Sequence, residues 1–502
     1  MYRRQKLRPR AFKNLPLPPG PKGLPLIGNL GDIPSSFEWL TYHRWCKEFD
    51  TDILHLSVAG TSFIILDTSE VTMDLFDKRS AIYSGKPRMP MVNELMGFDW
   101  NFSLMDYGMP THHRRLMHQS FNNVAARQFR PYSLRSVRRL LRKILDAPDS
   151  DIMTALRRMA GETIMEITYG INSPSASEKY IDAAEEALGE MLQAGVPGAY
   201  MVDSWPFLKF IPEWVPGAAF QRKARECRKL TKKVLEAPFA EVMKQMAKGI
   251  TSPCFTTMSL EKINQDLVAD NICTEINIKS VAGTMYSAGT DTVICLSLIS
   301  NCVLGLLSNP AALKEAQDQL DSVVKPGHLP DFEDEDSLPF ITAIIKEGLR
   351  WNSIIPSVIH MLKSDDEYRG LYIPGGSIVI ANTWAMLHNE EYYPDPFSFN
   401  PGRFIKDGKL DKAVRDPGHA IWGFGRRICP GRHMAFDQAW VAVASLIAVF
   451  DINKPVDASG NTIEPRYEYT AGLISKPKPF KASLTPRSKN TENLIRASNS
   501  HE

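Results

Sequence analysis

The stretch WGFGRRICPGRHMAF, Trp422 to Phe436, constrains the fold more than any other part of the chain. Cys429 sits among Gly423, Gly425 and Gly431, immediately ahead of an apolar run from Arg432 to Phe450 that reads as a helix. Glycines let the backbone turn tightly and let amides approach a sulfur. A helix N-terminus adds unsatisfied N–H donors and positive potential, so a thiolate is favoured here. Arg426 and Arg427 are suited to pair with carboxylates of a bound cofactor. A thiolate in such a nest fits a ligand that pushes electron density onto iron. The competing reading, a buried free cysteine in a turn, suits the other six cysteines better than this one.

Composition narrows the alternatives. The chain has 502 residues, 43% hydrophobic and 23% charged, which excludes disorder, collagen-like repeats and a small disulfide scaffold. With 59 basic and 57 acidic residues the net charge is +2, so nothing points to nucleic acid. Seven scattered cysteines without CxxC spacing imply a reducing compartment and no structural zinc site.

The uncharged stretch Thr292 to Leu313 is long enough to span a membrane, but carries Ser297, Ser300, Asn301, Asn309 and Pro310. It therefore reads as a buried core helix. The basic N-terminus, with Arg3, Arg4, Lys6, Arg8, Arg10 and Lys13, lacks the apolar region of a signal peptide. It reads as a basic stub beside a membrane or as a solvated tail.

Along the chain, LPLPPGPKGLPLIGNL (Leu15 to Leu30) predicts an extended lead-in. Alternation in TDILHLSVAGTSFIILD predicts a hairpin over Thr51 to Asp67. Helical pattern dominates from Ser69 to Gly249, and a long helix is predicted from Asn277 to Ser308. The acidic run Asp331 to Asp336 predicts a solvated loop before a helix over Leu338 to Trp351. Short strands follow near Ser357–Leu362, Tyr368–Ile373 and Ser377–Ala381. The fold expected is mainly α with small β-sheets: a stub and hinge over 1–30, one large domain over 31–488, and a polar tail over 489–502.

On the cysteine loop the sequence resembles the cytochrome P-450 haem-thiolate monooxygenases, whose pattern Phe-x-x-Gly-x-Arg-x-Cys-x-Gly is met by Gly425, Arg427, Cys429 and Gly431. Trp422 stands in place of the phenylalanine and can still shield the proximal face of the haem. The resemblance runs from Pro18–Pro21 to the segments near Pro477 and Pro486, and is greatest to fungal enzymes of secondary metabolism. It implies a single fold around a buried haem b, with Cys429 as the axial ligand of the iron.

Other motifs carry the same resemblance. Glu347-Gly348-Leu349-Arg350 places an acid and a base on one helical face, a weak signal alone. Beside Asn400-Pro401-Gly402-Arg403-Phe404 it implies a buried network of Glu347, Arg350 and Arg403 that supports the cysteine loop. Ala288-Gly289-Thr290-Asp291-Thr292 breaks an otherwise apolar helix. The blander reading is a hydroxyl bonded back to the preceding turn. The family match implies that Thr292 hydrogen-bonds bound dioxygen and that Asp291 relays protons from solvent. In THHRRLMHQ the histidines 112, 113 and 118 read as a solvated basic face rather than a metal site. The same stretch resembles a helix whose Trp-x-x-x-Arg motif binds a haem propionate. Arg114 matches the arginine, Pro110 occupies the tryptophan position, and Met361 follows His360 where related fungal sequences carry arginine.

By resemblance the substrate pocket draws on Met91–Met109, Leu188–Pro216, Val281–Thr292, Ser353–Val358 and Thr470–Ile474. Their apolar side chains, among them Leu95, Met96, Phe98, Trp100, Phe102, Leu104, Met191, Leu192, Val196, Ile354, Ile355, Val358, Leu473 and Ile474, imply a lipophilic small molecule. A terpenoid, a polyketide or an aromatic alkaloid fits. The resemblance further implies O2 as co-substrate, NADPH electrons through a separate cytochrome P-450 reductase, and a place on the cytosolic face of the endoplasmic reticulum, although the chain shows no transmembrane anchor. The alternatives are an isomerase or dehydratase of the same fold that needs no reductase, and a non-catalytic haem-binding protein.

Overall fold

The computed structural model describes residues 12, 14–106, 108, 111–148, 151–196, 198–250, 252–264, 274–290 and 293–498. The basic residues at 3, 4, 6, 8, 10 and 13, together with Pro110, Asp291 and Thr292, lie outside them. Helix dominates, with a few small sheets. The chain forms two compact units. One comprises Met1–Arg88, Ile355–Leu387 and Trp422–Ile428; the other comprises Met89–Ile354, His388–Ile421 and Cys429–Glu502.

The first unit is built on a four-stranded sheet. Strands β1 (Ile53–Val58) and β2 (Thr61–Leu66) pair antiparallel across Ala59 and Gly60, both at positive φ, as a tight hairpin requires. Strands β3 (Ser357–Met361) and β4 (Ile378–Asn382) complete it in the order β1-β2-β4-β3, with β2 and β4 parallel. Leu54, Leu56, Phe63, Ile65 and Ile380 bury one face against Tyr42 and Cys46 of helix α1 (Glu38–Glu48). The proline-rich lead-in is tied to this unit by its backbone: the His55 N–H donates to Pro19 O at 2.8 Å and the Tyr372 N–H to Pro16 O at 2.7 Å.

The second unit is helical. Its helices of eleven residues or more are α2 (Thr111–Phe121), α3 (Arg130–Asp146), α4 (Ile152–Tyr169), α5 (Pro174–Ala194), α6 (Ala219–Ala247), α7 (Glu275–Thr290), α8 (Val293–Ser308), α9 (Pro310–Val323), α10 (Pro339–Trp351) and α11 (Arg432–Val449). Along α4 and α11 almost every side chain is buried, the mark of interior helices. The predicted long helix corresponds to α7 and α8, which flank the two undescribed positions. Leu296 to Leu307 are buried, and the direction changes by 110° where the Asn309 side chain caps the Ala312 N–H and Pro310 opens α9. No single helix among the described residues is long and apolar enough to cross a membrane.

Two local readings change. The acidic run is not simply solvated: Phe332 is buried against Trp440, with the Arg130 guanidinium over its ring at 4.4 Å and paired to Glu335 at 3.2 Å. One aromatic within a charged run was enough to anchor it. The polar tail begins with a helix, Lys489–Ala497, started by a reciprocal Ser488–Thr491 capping box and anchored by fully buried Ile495.

Candidate active site

The cysteine loop begins in the first unit. Trp422, Phe424 and Arg427 are all buried. Phe424 meets the ring of Phe76, which stacks on His360 at 4.2 Å. Gly425 opens a 3-10 turn over Gly425–Arg427 at φ 51°, and its N–H donates to the Asp77 carboxylate. A Cβ at this position would stand 2.2 Å from the Phe76 carbonyl oxygen, so glycine is demanded by space as well as conformation. The Arg427 Nε donates to Ser84 O at 2.9 Å.

Cys429 opens the second unit's part of the loop. Gly431 is the N-cap of α11, and the N–H groups of Gly431 and Arg432 are directed at the Cys429 sulfur. Burial pushes the thiol up from its ordinary value; those two amides and the charges of Arg114 and Arg432 pull the other way, toward thiolate. Arg114 comes from α2, where burial lowers the guanidinium and the cysteine opposes that shift. Cys429 as a residue keeps partial accessibility. Gly431 is not strained, at φ −85°, and nothing stands within 4 Å of where its Cβ would be. Clearance at Gly431, two amides directed at the sulfur and an arginine within electrostatic reach suit an iron porphyrin bearing carboxylates.

The structure brings Glu347, Arg350 and Arg403 together. Arg350 grips Glu347 through Nε and Nη2, both at 2.8 Å, and both side chains are fully buried. Arg403, on a turn over Pro401–Phe404, reaches the same carboxylate at 3.2 Å, and the Asn400 N–H adds a fourth bond at 2.8 Å.

Near the undescribed pair 291–292, Gly289 allows α7 to approach α4: a Cβ there would lie 2.2 Å from Ile164. Val281 to Ser287 are buried but Ala288 is exposed, so this end of α7 borders open space. The expected pocket side chains separate into two kinds. Met96, Phe98, Phe102 and Ile354 are fully packed core. Leu95, Trp100, Leu104, Met191, Leu192, Val196, Leu473 and Ile474 keep partial accessibility.

One sequence reading is corrected. His112 and His118 are exposed, but His113 is buried and stacks on Phe102. The signal was present: His113, Leu116, Met117 and Phe121 share one face at helical spacing, and all four are buried. Met361, in β3, is half-buried beside buried His360.

The family model described as Cytochrome P450 matches residues 18–484. The chain is 44% identical over 494 residues to "Cytochrome P450 monooxygenase 98" of Postia placenta, covering 97% of this chain and 93% of that protein. It is 40% identical to a cytochrome P450 monooxygenase of Armillaria gallica, covering 96% and 94% of the two chains. It is 37% identical to "Tryptamine 4-monooxygenase" of Psilocybe cyanescens, covering 95% and 94%.

Proposed function

We propose that this chain, which belongs to the cytochrome P450 family, inserts one oxygen atom of O2 into a lipophilic small molecule of secondary metabolism. Membership makes it an oxidoreductase that uses haem iron and O2. When bound, the haem supplies the iron at which O2 is activated. The observation that carries the reading is the Cys429 nest, two helix-terminal amides and two arginine charges acting on one sulfur.

In this reading Cys429 ligates the iron, and the amides of Gly431 and Arg432 temper the thiolate charge. Arg114 and Arg427 hold the propionates, with Trp422 and Gly425 shaping the loop and Gly431 leaving clearance. Asp291 and Thr292 hold and move protons between solvent and the oxygen site. The partly accessible side chains from Leu95 to Ile474 named above carry no charge, which favours an uncharged or weakly polar substrate. A terpenoid, a polyketide or an aromatic alkaloid meets that requirement, and one relative is named for tryptamine.

NADPH electrons would come through a separate reductase. Work at a membrane surface is supported by Met201, Trp205, Phe207, Phe210 and Trp214, which are 45–81% exposed within one short stretch. Over 222–233 there follow Arg222, Lys223, Arg225, Arg228, Lys229, Lys232 and Lys233 against a lone acid, Glu226. Apolar rings beside cations suit an anionic lipid headgroup region, here the cytosolic face of the endoplasmic reticulum.

The test is twofold. A strongly red-shifted Soret band in the reduced, carbon-monoxide-bound protein is expected. So is oxygenated product from lipophilic substrates when reductase and NADPH are supplied. An unshifted band would overturn thiolate ligation, and product without NADPH would overturn the monooxygenase reading.

A further inference from the structure

Gly423 and Gly425 both sit at positive φ, 74° and 51°, on either side of Phe424 and a few residues ahead of Cys429. Glycine leaves a chain many conformations, so a loop punctuated in this way needs ties from outside itself to hold one of them. The ties come from a segment of the same unit, where a wide helical turn over Met73–Lys78 is followed by a short one over Ser80–Tyr83.

Three contacts join this segment to the loop. The Phe424 ring stands edge-on to that of Phe76, with centroids 5.8 Å apart. The Arg427 Nε donates to the carbonyl oxygen of Ser84, the residue after the short turn. Between these two, the Gly425 N–H donates to the Asp77 carboxylate. The arginine's bond ends on a backbone carbonyl that any residue supplies. The glycine's bond ends on a side chain, and so depends on which residue the segment carries.

The Gly425 N–H has a particular place in the loop. The turn it opens is closed by two bonds, Arg427 N–H to Phe424 O at 3.0 Å and Ile428 N–H to Gly425 O at 3.2 Å. Its own N–H is one of the donors that the start of a helical turn leaves without an internal partner. Asp77 caps it from 348 residues away, and a charged acceptor makes a stronger bond than a neutral one. The approach is close: a Cβ on Gly425 would meet the Phe76 carbonyl oxygen at 2.2 Å and the Ser80 Cβ at 3.1 Å. Cys429 follows Ile428 directly, so where this turn begins decides where the sulfur is presented.

We propose that Asp77 is a positioning residue for the axial ligand: its carboxylate anchors the start of the Gly425–Arg427 turn and, through that turn, fixes where Cys429 presents its sulfur. The inference rests on the reading of Cys429 as the haem ligand and adds the group that holds its loop. Asp77 acts through the Gly425 amide, as an acceptor in a fixed place rather than as a charge.

The test uses the reduced, carbon-monoxide-bound holoprotein, in which thiolate ligation gives a red-shifted Soret band and loss of the thiolate an ordinary one. The rate at which the first band converts to the second is followed in moderate urea for wild type, Asp77→Ala, Asp77→Asn and Asp77→Glu. Asp77→Ala removes the acceptor and should convert several-fold faster. Asp77→Asn removes the charge but keeps an oxygen in the same place, and should convert close to the wild-type rate. Asp77→Glu keeps the charge and displaces the oxygen by a methylene, so it should fall between wild type and Asp77→Ala. Rescue by asparagine ahead of glutamate is an order that general loosening does not produce. Thermal unfolding of the three apoproteins should shift little, because Asp77 is exposed. If Asp77→Ala takes up no haem, the order of the other two variants carries the comparison. A wild-type rate in Asp77→Ala, glutamate closer to wild type than asparagine, or apoprotein stability falling in step with the conversion rate overturns the anchor. Absence of the red-shifted band in wild type would instead overturn thiolate ligation itself, a distinguishable failure.

Discussion

Arg350 and Glu347 form a two-bond pair, Nε to Oε2 and Nη2 to Oε1 at 2.8 Å each, in which neither side chain is reached by solvent. Arg403 is added to the same carboxylate, so two cations share one anion. The surplus positive charge is met by carbonyl oxygens. Arg350 donates to Pro396 and Ser398, and Arg403 to Pro394 and Asp395. The network therefore folds the segment from Pro394 to Asn400 around α10. Desolvation of three charges is offset here by nearly complete hydrogen bonding.

Removing the carboxylate should leave two buried guanidinium groups facing each other. Glu347→Gln is expected to cost about 3–5 kcal/mol of stability, the range for breaking a buried ion pair from one side. Urea unfolding followed by circular dichroism measures it. Arg403→Lys keeps a charge but loses the fork geometry, and should fall between wild type and Glu347→Gln. A loss below about 1 kcal/mol in Glu347→Gln would place this set with ordinary surface pairs.

The thiolate assignment separates Cys429 from the other cysteines. Burial raises the thiols of Cys46, Cys227, Cys254 and Cys302 as it does Cys429; Cys254 also meets two helix-start amides, of Thr256 and Thr257, but Cys429 alone among these five adds the charges of two arginines to such a pair. Cys429→His should abolish the red-shifted Soret band of the reduced carbon-monoxide complex. Serine at each of the four other positions should leave it in place. A retained band in Cys429→His would require a different sulfur on the iron.

Gly425 offers a sharper structural test than the other loop glycines. Alanine there would have to adopt φ 51° and also displace the Phe76 carbonyl from 2.2 Å. The cost should exceed about 2 kcal/mol, combining left-handed strain with a backbone clash. Gly431→Ala meets no such obstacle within the chain itself, so the apoprotein should keep its stability. Any defect in that variant should appear on haem uptake. Thermal unfolding of the two apoproteins, followed by haem titration, checks both halves.

How much of this could be read in the sequence depended on range. The hairpin over β1 and β2 followed from the alternating apolar residues of β1 and the turn at Ala59–Gly60, and α10 from the spacing that also placed Glu347 and Arg350 on one face. The loop around Cys429 was legible because its glycines, its cysteine and the following helix start are contiguous. Arg403 could be joined to Glu347 only by resemblance, since 56 residues separate them. His113 was misread because neighbouring charges outweighed an apolar stripe that its own spacing displayed. Asp77 was invisible: a single acid in a helical turn carries no local sign that it will cap a turn 348 residues later.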